Sequence, residues 1–270
     1  MDLLSFKDIL FQFLVLFSFG CFFSLIFLPA QTIGFRFFSS QSLFSMIALG
    51  GALILHFYHF FSEDSSLPLF SYVYVVILVG LVIYYFFISS HKFFLAWYSL
   101  ILSGLLMVVG LYLHGEFLST SQEAVGRILY FSQAFASVAL VGSVFTSMML
   151  CHWFFVFHKL PIKYLKYMGH VFTFSVIFKI FVTGIVFWTW RLGYVSEFGE
   201  VFPLEHNLIL LYVRFGIGLF IPLVLSFGSE MTIKIPSNHS AIGILYLAVI
   251  LVFTGEVLGQ YLTLIHQIPL

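Results

Sequence analysis

Eight stretches of about 20 apolar residues, separated by short polar turns, run through this chain of 270 residues and leave little over for anything else. A helix rises about 1.5 Å per residue, so roughly 20 apolar residues cross the ~30 Å hydrocarbon core of a bilayer. Inside that core each backbone N–H and C=O needs a partner within its own segment, which a helix supplies. The runs cover approximately residues 9–28, 42–61, 68–88, 93–114, 126–152, 167–190, 204–227 and 241–266. Composition agrees: 61% of residues are hydrophobic, 8% are charged, and the mean hydropathy is +1.11. Soluble domains lie outside that range. The expected fold is all-α, a polytopic integral membrane bundle of about eight transmembrane helices forming a single domain over residues 1–270. No period of repetition and no low-complexity linker divides it.

Asp2, Lys7 and Asp8 precede the first run and no small-residue cleavage pattern follows it, so the run reads as a retained helix and not a signal peptide. Cys21 and Cys151 fall within apolar segments, where small apolar packing is expected in preference to a disulfide. Eleven basic residues balance eleven acidic ones, giving no reason to expect a nucleic-acid partner. The distribution of charge says more. Arg36, Lys92, Lys159, Lys163, Lys166 and Lys234 fall on the side opposite the termini, whereas Lys7, Arg127 and Arg191 share the termini's side. By the positive-inside rule both ends face outward, toward the periplasm in a bacterial inner membrane. Residues 30–40 carry Arg36 among Phe35, Phe37 and Phe38 and read as an interfacial loop that dips its aromatic rings into the headgroup layer. The fifth run presents Ala134, Ala136, Ser137, Gly142, Ser143 and Ser147, small residues that suit a central helix.

Ionisable residues deep in lipid cost about 3 kcal/mol or more and face a partner or a wet cavity. Arg214 lies nine residues past Glu205, and Glu256 lies ten before His266, about 13 and 15 Å from the outer face. The two are level and expected to meet. Lys179 comes in roughly 18 Å from that face and Gln133 about 9 Å, with His56 a turn or so above. One reading is a lock between the last two helices. The other is a polar cavity in which Glu256 and Arg214 carry chemistry and Lys179, Gln133 and His56 hold a ligand's head or move protons.

The histidines admit similar pairs of readings. His56, His59 and Glu63 share a helix face and could hold a metal, or simply lie solvated at the interface. His152 and His170 end and begin consecutive helices, as axial ligands of a haem b would, or touch headgroups. His114 and the rest fall at helix ends, where a polar tip is expected. No C-x-x-C, phosphate loop, H-E-x-x-H or G-x-S-x-G motif occurs. Aspartate appears only at positions 2, 8 and 64, against magnesium-dependent prenyl chemistry and aspartyl proteolysis within the membrane.

Gly255-Glu256-Val257-Leu258-Gly259-Gln260-Tyr261-Leu262 resembles the Gly-Glu-x-x-Gly-Arg-Tyr signature near the end of the membrane anchor subunit of dimethyl sulfoxide reductase, a relative of the polysulfide reductase anchors. Eight helices with both termini outside resemble that subunit too. The resemblance implies a haem-free anchor that binds quinol (menaquinone or ubiquinone) and passes electrons to a separate iron–sulfur subunit. It covers one helix. Gly255, Glu256, Gly259 and Tyr261 match, with Tyr261 beside the quinone. Gln260 stands where the family has Arg, so Arg214 or Lys179 would have to supply the positive charge. A quinone needs a lipid-accessible apolar slot that ends in hydrogen-bond donors, with a carboxylate or imidazole to take the protons. Transporters and lipid-handling proteins with a buried charged site form the rival class.

Overall fold

A computed structural model describes residues 3–63, 68–118, 124–156, 161–191, 204–234, 238–266 and Pro269. Among these no strand occurs, and eight helical segments are long and apolar enough to cross a membrane. The chain is a multi-pass membrane protein. Helix α1 (Leu3–Phe23) continues through a tight 3₁₀ turn, Ser24–Phe27, and is followed by the short α2 (Ala30–Ile33) and long α3 (Phe35–Glu63). Then come α4 (Leu69–Ser89), α5 (Phe93–Leu118), α6 (Ala124–Val156) and α7 (Ile162–Arg191). The seventh crossing is α8 (Leu204–Phe215), a π turn at Gly216–Phe220, and α9 (Ile221–Lys234). The eighth is α10 (Asn238–His266).

Residues 30–40 are not the interfacial loop expected above. Gly34 turns the chain with φ +99°, a conformation that favours glycine, and α3 starts at once. Phe37 and Phe38 are then on its first turn and face inward, both fully buried. Arg36 stays out, with its guanidinium 6.0 Å from the Phe35 ring centre.

The crossings form two rings of four. In the first, α1 packs on α3, α3 on α4 and α4 on α5, which returns to α1. In the second, α6 packs on α7, α7 on α9 and α9 on α10, which returns to α6. The rings join through α1 against α6, flanked by α5 against α6 and α1 against α10. Exchanging the halves reproduces these contacts, and both halves open with a helix running the same way. The two halves therefore share one pattern of helix neighbours, with their helices running in the same order and direction.

The joint is made by bare backbone. A Cβ added at Gly20 would fall 2.7 Å from the Gly142 nitrogen, and one at Gly142 would run into the Gly20 carbonyl. Close approach of this kind is how small residues hold membrane helices together. Helix α6 is central, touching α1, α5, α7 and α10. Helices α4 and α5 turn Val76, Val79, Leu102 and Leu105 outward, as lipid-facing helices do.

Candidate functional site

Helix α8 ends in a backbone irregularity with an evident cause. Pro222 has no N–H, and its ring crowds the carbonyl four residues back, that of Gly218. The helix widens over Gly216–Phe220, where the Ile221 N–H bonds the Gly216 carbonyl five residues back. Turns of this type recur at functional sites. Gly218 there meets Gly255 of α10: a Cβ on Gly218 would lie 2.8 Å from the Gly255 Cα. With no side chain between them the two crossings touch, and the neighbouring residues Arg214 and Glu256 come face to face.

Arg214 Nη2 donates to Glu256 Oε1 at 2.9 Å. Lys179 Nζ approaches the other carboxylate oxygen, Oε2, at 3.7 Å. All three residues are 0% exposed. Lys179 Nζ also donates to Ser137 Oγ at 2.7 Å and to the Gln133 backbone carbonyl at 3.4 Å. Gln133 Nε2 in turn donates to Thr183 Oγ1 at 3.0 Å and to the Pro269 carbonyl at 3.3 Å. Helices α6, α7, α8 and α10 thus each contribute to one polar knot.

The knot is not closed. Among the described residues Arg214 Nε and Nη1 and Glu256 Oε2 have no hydrogen-bond partner. Each buried donor left so costs about 1–3 kcal/mol. Two formal positive charges also face a single negative one. In low dielectric, Coulomb attraction offsets the desolvation of a buried ion pair only where further hydrogen bonds complete it. The trio has room in its electrostatics for one more acceptor.

His56 is elsewhere. Its Nε2 pairs with Ser71 Oγ at 2.7 Å, and its ring stacks on Phe11 at 4.8 Å. The same Phe11 ring also stacks on His114, at 5.6 Å, whose Nδ1 pairs with Tyr74 Oη at 2.9 Å. Between this cluster and the trio lies a cavity of about 50 Å³, bordered by Gln12, Tyr74, His114, Gln133 and Ser137 among others. Tyr261 does not border it. It is half-buried against the apolar cluster of Leu129, Tyr130, Val186 and Leu262, next to Phe187.

On the opposite face His170 Nδ1 lies 3.1 Å from Glu230 Oε1, which also accepts from Thr173 Oγ1 at 2.6 Å. His152 is exposed. The side chains of His59 and Glu63, needed for the metal reading, lie outside the described residues, as do those of Lys159, Trp190, Arg191, Glu205 and Lys234.

Sequence alone singles out neither Gln12, Tyr74 nor Thr183, and it presents Ser137 as a packing residue and His114 as a polar helix end. Two of these carry a signal in their spacing. Ser137 is four residues past Gln133 and Thr183 four past Lys179, so each shares a helix face with a residue already singled out. No family model matches the sequence, and no curated protein and no solved structure matches the chain.

Proposed function

We propose that this chain is a quinone- or quinol-interacting anchor subunit of a respiratory oxidoreductase, set in an inner membrane beside a separate iron–sulfur subunit. The observation that carries the reading is Arg214, fully buried and bound to Glu256 through one nitrogen while Nε and Nη1 lack acceptors. A quinone carbonyl is an electron-rich oxygen suited to those donors, and aromatic side chains occur in the same half, Phe187 on Phe215 at 5.3 Å and Tyr261 against the Leu129–Leu262 cluster. Oxidation of a quinol releases two electrons and two protons. Glu256 is the carboxylate within reach of such a site to take a proton. The electrons would leave through the partner subunit. The positive charge that Gln260 does not provide is supplied by Arg214 and Lys179.

The test uses the full chain in nanodiscs, titrated with a short-chain menaquinone analogue and read by quenching of tryptophan fluorescence. Saturable binding is expected, weakened about tenfold in Arg214→Gln by loss of a charge-assisted hydrogen bond. Absence of saturable binding to the wild-type chain would sink the proposal.

The two-ring arrangement favours a second reading, a transporter built from parallel repeats. Repeat-built transporters hold substrate between their halves, whereas the charged trio lies on α7, α8 and α10 within one half. That placement supports the quinone reading over its rival.

A further inference from the structure

We infer that the cavity between the two halves is a water chamber through which a proton passes between the Glu256 trio and the buried His114–Tyr74 pair, and so to the face where the chain begins. The inference rests on reading Glu256 as a proton-handling group and extends it to a second cluster.

Three observations point the same way. The cavity, at about 50 Å³, takes a few waters and nothing the size of a quinone ring. Gln12, buried on α1, lines it with a side-chain carbonyl that has no hydrogen-bond partner. A buried acceptor left in that state, in a largely apolar cavity that also presents Tyr74, His114, Gln133 and Ser137, is a place for a water to bind. Finally, the groups on the two sides are already linked outward from the chamber. On one side Ser137 Oγ accepts from Lys179 Nζ at 2.7 Å, and Lys179 Nζ stands 3.7 Å from Glu256 Oε2. On the other His114 Nδ1 and Tyr74 Oη are 2.9 Å apart.

The two clusters hold equivalent places in the two rings. Gln12, His56, Tyr74 and His114 come from α1, α3, α4 and α5, and Gln133, Lys179, Arg214 and Glu256 from α6, α7, α8 and α10. One half places an amide, two imidazoles and a phenol where the other places an amide, two basic side chains and a carboxyl. The chamber lies where they meet.

Proton accounting along the route is closed. A proton leaving the Glu256 carboxyl replaces one that Lys179 passes to Ser137, whose own hydroxyl proton moves to a chamber water. Water delivers a proton to the imidazole of His114, which releases one toward the surface. Each intermediate group ends as it began, and no electron moves. Titratable groups beside His114 among the described residues include Tyr74 on α4, His56 on α3 and Tyr130 on α6. At the rim Glu116 and Arg127 pair at 3.2 Å and are partly exposed.

The experiment is an acid step applied to the full chain in nanodiscs without quinone, followed by time-resolved infrared spectroscopy of the carboxylate band that Glu256→Gln removes. The wild-type band should respond, and the response should slow about a hundredfold in Gln12→Leu and in His114→Phe. Ser137→Ala, a smaller change on the other wall, should slow it likewise and serves if either of those variants misfolds. Unchanged rates in the variants that fold overturn the route, and so does a wild-type band that does not respond. The quinone titration is independent. A route that survives while quinone fails to bind removes only the proposed function, and binding with unchanged rates removes only the route.

Discussion

A fully buried guanidinium has to be answered by the protein around it, and Arg214 is answered only in part. Removing it takes from the fully buried Glu256 its hydrogen-bonded cation and leaves the longer 3.7 Å approach of Lys179, so Arg214→Ala is expected to cost about 3–5 kcal/mol, seen as a large drop in melting temperature in detergent. Glu256→Gln keeps an oxygen opposite Nη2 but removes the negative charge that both buried cations face, and should cost at least as much. Lys179→Met goes the other way. It removes the surplus positive charge and leaves the Arg214–Glu256 pair, so it should melt at or above the wild type; a loss comparable to Arg214→Ala would show that all three charges form one unit. The trio was legible in the sequence because an ionisable residue mid-way along an apolar run has few places to go. His114 and Tyr74 were not. A histidine near a helix end reads as an interfacial tip and a tyrosine in an apolar run carries no signal of its own; the packing of α4 on α5 beside Phe11 is what buries them.

At the scale of the helices, glycine has opposite meanings at different positions. Gly142 lies against the Gly20 backbone, so Gly142→Ala must push α6 from α1 and should destabilise by about 1–3 kcal/mol. Gly104, on α5, has nothing within 4 Å of the place where its Cβ would be, and Gly104→Ala should be neutral or stabilising by about 0.4–1 kcal/mol. Comparison of the two melting curves checks both signs at once. Helix positions were readable from the apolar runs, since length and hydropathy are local properties. Their ends were less so: α3 begins seven residues before its apolar run because Phe37 and Phe38 find core to bury in, which hydropathy alone does not reveal. The widened turn at Gly216–Phe220 needed Pro222 to be read together with the neighbouring α10, a tertiary fact.

For the molecule as a whole, the excess of lysine and arginine on the face away from the termini predicts which side is cytoplasmic. Cys21 and Cys151 are buried, so single introduced cysteines can report it. Val125 and Lys163 are exposed at opposite ends of their bundle. Val125→Cys should react with a membrane-impermeant maleimide on intact cells and Lys163→Cys only after permeabilisation; the reverse pattern would invert the orientation. The two-ring plan left no trace as a sequence repeat, because a helix face that meets other helices or lipid is satisfied by nearly any apolar side chain, and such faces lose resemblance without losing shape. The Gly20–Gly142 joint has a mechanical consequence. It lies about 12 Å deeper along α1 and α6 than Gln12 and Gln133. Peptide planes in contact there fix the spacing of the halves at one depth. A motion that spreads the glutamines apart would act as a see-saw about that fulcrum, closing the far end as the near end admits solvent.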